Sequence, residues 1–168
     1  MPITPLLEGL PPIVGDSPRL LILGNMPSAI SLATQEYYGN PRNTFWRIAG
    51  ELLGLDPAAA YTQRTEALRR RGVAVWDVLK NCRRVGSLDS AVEPDSMVAN
   101  DFVAFFAEHR LIAQVVFNGA AAQRNFTRLV GTKAADAAVT FARLPSTSPA
   151  HTMPHADKVA AWRVIRDL

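Results

Sequence analysis

Three short apolar runs end close to Asn25, Asp77 and Asn118, and a fourth ends in the stretch Ser146, Thr147, Ser148 and His151. Tyr37, Tyr38 and Asn43 stand between the first run and the helix that follows it. Most of these side chains are uncharged hydrogen-bonding groups or aromatic faces. Such an inventory suits a planar polar ligand that is stacked on a ring and read along its edge.

The elements that must position these groups alternate between strand and helix. Leu20–Leu23 is short and wholly apolar, as a buried strand requires. Gly24-Asn25-Met26-Pro27-Ser28 is a turn of breakers, and a polar, aromatic loop follows through Tyr37, Tyr38, Gly39, Asn40 and Pro41. Asn40-Pro41 has the form of an N-cap with proline after it. Phe45, Ile48, Ala49, Leu52 and Leu53 keep helical spacing, and Gly54 supplies a stop. Leu55–Thr65 reads as a loop and Glu66–Arg71 as a short basic helix. Gly72–Trp76 is a second strand, ending at Asp77. A loop is expected over Asn81–Glu93, then a helix from Pro94 to about His109 with Val98, Phe102, Phe105 and Phe106 inward. Leu111–Phe117 is a third strand and Ala120–Val130 a helix. Val139–Leu144 is a fourth strand, and Pro154–Asp167 a closing helix.

The strands are apolar throughout rather than alternating, which predicts a parallel sheet covered on both faces. The expected fold is a three-layer α/β/α sandwich around a four-stranded, mainly parallel sheet. Its strand ends share one edge, where open α/β sheets bind ligands. One domain over residues 1–168 is expected, with the Pro-rich residues 1–18 as an extended surface arm.

Composition narrows the class. The single cysteine, Cys82, excludes an internal disulfide and a four-cysteine metal or iron–sulfur site within the chain. No apolar run can span a bilayer and no basic segment precedes the first apolar residues, so a cytoplasmic location without a membrane partner is expected. The net charge of +3 permits a polyanion partner. Arg69–Arg71 and Arg83-Arg84 read either as solvated faces or as phosphate contacts. His151 and His155 are four apart, but Pro154 interrupts the helix needed to align them, so no metal is assigned.

The chain resembles the uracil-DNA glycosylase superfamily, and within it the hypoxanthine-DNA (deoxyinosine) glycosylase family. Four pieces carry the likeness: Gly24–Ser28; Tyr37-Tyr38-Gly39-Asn40-Pro41-Arg42-Asn43-Thr44-Phe45-Trp46; Gly72–Leu79 with Gly86-Ser87-Leu88-Asp89-Ser90 beyond it; and Leu144–Ala150. They span residues 20–165 in the family's order. One position departs from the uracil-specific relatives. Where they carry an Asp or Asn that handles the attacking water, this chain has Met26, whose thioether can neither orient nor deprotonate water. The same loss marks the hypoxanthine family, and there the resemblance passes catalysis to Asn43.

The resemblance implies a cofactor-free glycosylase that flips a deaminated base out of DNA and directs water to C1′; no lysine stands at the strand ends, so a monofunctional enzyme that leaves an abasic site is expected. Asn43 would hold the water; helix capping is the plainer reading of the same residue, and Asn40-Pro41 as the cap would leave it in the first turn. Tyr38 would stack on the base. Asp77 would accept from hypoxanthine N1–H, or else cap a helix or pair with Arg83 or Arg84. Asn25 and Met26 would line the base site, with Asn25 equally readable as a turn residue. Ser146, Thr147 and Ser148 would contact phosphates, joined by His151 and by Arg83 and Arg84. Ala150 falls where relatives carry an intercalating wedge. Asn118 reads as a helix cap. The partner would be DNA carrying a deaminated base, met by a monomer at the nucleoid. Alternatives are a uracil or xanthine preference, a non-catalytic module that captures damaged bases, and a nucleoside hydrolase.

Overall fold

The computed structural model describes residues 3–167. In chain order the elements are β1 (Leu6–Glu8), β2 (Leu20–Gly24), α1 (Ala29–Thr34), α2 (Phe45–Leu53), α3 (Tyr61–Arg70), β3 (Val73–Asp77), β4 (Leu79–Arg83), β5 (Val98–Ala99), α4 (Phe102–Glu108), β6 (Gln114–Asn118), α5 (Ala120–Leu129), β7 (Thr140–Leu144) and α6 (His155–Trp162). The main sheet has the order β3-β2-β6-β7, and every pair in it is parallel.

Both faces of this sheet are covered, which is why its central strands lack alternation. Successive side chains point to opposite faces. Leu20, Ile22, Val73, Val75 and Val116 pack with Phe45, Ile48, Leu68 and Trp162 of the helices on one side. Leu21, Leu23, Ala74, Val115 and Phe117 pack with Phe102, Phe105, Ala122 and Phe126 on the other. The edge strand β7 departs from the expected apolar character: Thr140, Ala142 and Arg143 are exposed. It has a neighbour on one side only.

Several expectations are corrected. Residues 29–34 form α1 rather than loop, because Ser28 Oγ accepts from Ser31 N at 3.1 Å and starts a helical turn. Helix α3 begins at Tyr61, five residues before the predicted start. The predicted loop after Asp77 contains β4, which joins β1 and β5 in a small antiparallel sheet. Pro94–Ser96 makes a single 3₁₀ turn, and α4 starts only at Phe102. Asp101 stops it from starting earlier by capping Ala104 N at 3.0 Å. Val98 is therefore half exposed rather than inward. The N-terminal arm also does more than wrap the surface. Ile13 exchanges two backbone hydrogen bonds with Val75, at 2.8 and 2.9 Å, and so covers the free edge of β3.

Candidate active site

The parallel strands deliver Gly24, Asp77, Asn118 and Leu144 to one edge of the sheet. A cleft of about 240 Å³ opens there. The turn after β2, the Tyr37–Asn43 loop, the loop after β4 and the Ser146–Ala150 loop form its walls.

Its floor holds two buried oxygens without partners. Asp77 is 4% exposed and its Oδ2 has no hydrogen-bond partner; the hydroxyl of Tyr38 is likewise unpartnered. A native protein rarely leaves such groups unpaired, because each costs about 1–3 kcal/mol. Burial pushes the Asp77 carboxyl up to about 7; Asp89 adds to the rise and Arg84 opposes it. Gly24 makes the floor possible. A Cβ there would lie 2.3 Å from Asp77 Oδ1 and 3.2 Å from the Tyr38 hydroxyl.

Tyr38 occupies the left-handed region at φ 54°, a conformation that costs a non-glycine residue roughly 1–2 kcal/mol. The turn is held from both sides: Trp46 Nε1 donates to Tyr37 O at 2.9 Å and Gly39 N donates to Ser31 Oγ at 2.9 Å. One face of the Tyr38 ring stacks on Phe45, with centroids 4.1 Å apart and planes at 29°. Tyr37 itself is core, and its hydroxyl donates to Leu10 O.

Asn43 lines the cleft at the mouth of α2. Its Oδ1 accepts from Phe45 N, the first N–H of α2, at 2.9 Å, although the N-cap position itself is Thr44 and Asn43 lies just before the helix. Asn40 is not the cap of α2. It closes its own turn, with Oδ1 accepting from Arg42 N and its carbonyl from Asn43 N. The next residue ties the wall across the cleft: Thr44 N donates to Thr147 O at 3.1 Å.

The turn after β2 and the loop after β4 form one network. Asn25 Oδ1 accepts from Asn125 Nδ2 at 2.8 Å, and Asn25 Nδ2 donates to Asp89 Oδ1 at 3.0 Å. Beneath them Arg84, 2% exposed, donates from Nη2 to Pro27 O at 2.6 Å and from Nε to Gly86 O at 2.8 Å. Ala29 N donates to Ser87 Oγ at 2.9 Å.

Residues 11–167 match the Uracil DNA glycosylase superfamily. The chain belongs to that superfamily. Two relatives named hypoxanthine DNA glycosylase, from Methanosarcina barkeri and Methanosarcina acetivorans, are each 34% identical over 113 residues, which is 67% of this chain and 70% of theirs. A solution NMR structure of a Methanosarcina acetivorans protein, described as a candidate uracil DNA glycosylase, superposes with a TM-score of 0.81 at 30% identity. That match covers 96% of this chain and 98% of the other. The chain is accordingly a DNA N-glycosylase, a hydrolase of N-glycosyl bonds.

In this glycosylase the cleft brings together Asn43, Tyr38, Asp77, Asn25, Met26, Ser146, Thr147 and Ser148. Two of them are largely committed to structure. The Asn25 amide is engaged at both ends, and Thr147, 1% exposed, is held through its N–H and Oγ1 by Asn118. Asn118 is thereby corrected from helix cap to loop clasp. Arg84 is corrected from surface cation to buried strut. Arg83 does not line the cleft and donates to Thr4 O on the N-terminal arm. His151 is exposed and lines a separate hollow with Gly119 and Arg143. Asp89, Asn125 and Lys158 were not singled out from the sequence. Lys158, 4% exposed, donates to His151 O at 2.7 Å and pins the fourth loop from behind. The local signal for Asp89 was its place in Gly86–Ser90; Asn125 and Lys158 sit mid-helix with none.

Proposed function

We propose that this glycosylase removes hypoxanthine from DNA: it flips the deoxyinosine, directs water to C1′, and leaves an abasic site without lyase chemistry. The observation that carries the reading is the convergence of three groups in one cleft. They are the Tyr38 ring, the unpartnered carboxyl of Asp77 and the amide of Asn43.

The chemistry follows from those groups. Flipping costs a few kcal/mol, least at an I·T or I·C pair or in a single strand. The everted base stacks on the Tyr38 face opposite Phe45. Asp77 accepts from N1–H of hypoxanthine, which adenine lacks. Asn43 Oδ1 uses one lone pair on Phe45 N–H and has a second for water. An amide cannot take a proton, but a positive oxocarbenium centre needs water placed more than it needs a strong base. Ser146 and Ser148 supply neutral donors for the flanking phosphates. Lys158 lies outside the cleft with its ammonium bound to carbonyls, which supports hydrolysis rather than a Schiff base. The reading includes a monomer acting at the nucleoid, with no cofactor.

The test is a panel of labelled duplexes and single strands, each with one hypoxanthine, xanthine or uracil, incubated with enzyme and then heated in alkali. Strand cleavage strongest at hypoxanthine supports the reading. Cleavage strongest at uracil moves the preference within the superfamily. Tight binding with no cleavage makes the protein a damaged-base-binding module.

A further inference from the structure

We infer that Asp89 is a second catalytic group of the site, the anion that faces the developing positive charge at C1′ and accepts the proton of the attacking water. This rests on the glycosylase reading of the cleft and adds a group that reading does not use.

Three observations point to Asp89. First, Met26 at the turn and Asn43 at the helix mouth line the cleft without being able to take a proton. Asp89 lines the same cleft and can. Second, it is held in place as a reacting group must be. Asn25 Nδ2 donates to its Oδ1 at 3.0 Å, Asn125 holds Asn25 from behind, and Arg84 and Ser87 tie its loop to the Pro27–Ala29 turn. Among the described residues no hydrogen bond engages the second oxygen of Asp89. Third, the cleft contains a neighbouring acid of opposite character. Asp77 is buried with Oδ2 unpartnered, while Asp89 is exposed and hydrogen-bonded. Burial favours the protonated form of Asp77. Asp89 and Arg84 are the charged groups that bear on Asp77, which in turn raises Tyr37 and Tyr38. The protonated Asp77 accepts from N1–H and donates to O6 of the base.

The step balances. Water oxygen bonds to C1′ as the bond from C1′ to the base nitrogen breaks. The bonding pair leaves with the purine, whose charge spreads to O6 beside the Asp77 hydroxyl. The water proton passes to Asp89, and solvent protonates the departed base.

The test compares wild type with Asp89→Asn, which keeps an oxygen to accept from Asn25. Single-turnover excision from an I·T duplex is followed against pH, with binding to a non-cleavable 2′-fluorodeoxyinosine duplex and a thermal melt alongside. The expected result is a loss of at least about a hundredfold in rate, with binding within about threefold and the melt preserved. The high-pH inflection of the residual activity should move to a lower pH than in wild type, because burial still raises Asp77 but the Asp89 charge that adds to it is gone. Excision within threefold of wild type would overturn the assignment, as would a rate loss matched by an equal loss of binding. If wild type itself excises none of the deaminated bases, the functional reading fails before Asp89 is tested.

Discussion

Asn118 clasps Thr147 with two hydrogen bonds: its Nδ2 donates to Thr147 Oγ1 at 3.0 Å and its Oδ1 accepts from Thr147 N at 2.9 Å. The pair joins the end of β6 to the loop after β7. Thr147 O in turn accepts from Thr44 N, next to Asn43. One clasp thus sets the distance between the serine loop and the amide at the mouth of α2.

Asn118→Ala leaves the Thr147 N–H, on a residue 1% exposed, without its partner. The expected cost is about 1–3 kcal/mol of stability, read by urea unfolding. Excision should fall by more than the loss of folded protein explains, because the Ser146–Ala150 wall is released. A variant that is destabilised but fully active at low temperature would separate the clasp from catalysis.

Gly24→Ala tests the floor. The glycine does not have a positive φ, so alanine brings no backbone strain; its methyl instead meets Asp77 Oδ1. The variant should fold and lose roughly a hundredfold in excision, the scale of an ångström-size misplacement. Single-turnover kinetics on an I·T duplex measure it. Unchanged kinetics would mean that the Asp77 carboxyl can move without consequence.

Tyr38→Phe removes a buried hydroxyl that has no partner. Stability should hold or rise, by up to about 1 kcal/mol, and the ring stack on Phe45 should persist. If the hydroxyl touches the flipped nucleotide, KM for the hypoxanthine duplex rises while thermal unfolding is unchanged or improved. Equal KM values would confine Tyr38 to stacking.

Asp77 also couples stability to pH. Its carboxyl titrates near 7 in the fold against an ordinary value of 3.8. Between those values the native protein keeps a proton that the unfolded chain has released, so stability falls as pH rises from about 4 to about 7. Asp77→Asn should flatten that decline and be the more stable protein above pH 7. Parallel urea titrations from pH 4 to 8 check it; equal slopes for both proteins would contradict the buried, protonated acid.

Much of this fold is legible in the sequence. The Leu20–Leu23 run, the Gly54 stop and the residues at the strand ends rest on local patterns of burial and turn chemistry, and β2, α2 and the cleft follow them. What was not legible depends on partners far along the chain. Arg84 looks like a surface cation until Pro27 and Gly86 supply its carbonyls, and Asn25 meets Asn125 across a hundred residues. Strand β4 is too polar, and the two-residue β5 too short, to show a period. Helix α4 was placed too early because Pro94-Asp95 resembles a helix start, while the working cap is Asp101.

The role of Asn43 is tested most directly by one comparison: single-turnover release of hypoxanthine from an I·T duplex by wild type and by Asn43→Ala, with thermal unfolding of both. Loss of the bond from Asn43 Oδ1 to Phe45 N should cost about 1 kcal/mol, so the variant should remain folded while its rate drops by a hundredfold or more, as for loss of a placed reacting group. A folded Asn43→Ala protein that releases hypoxanthine at the wild-type rate would contradict the assignment of this cleft's chemistry.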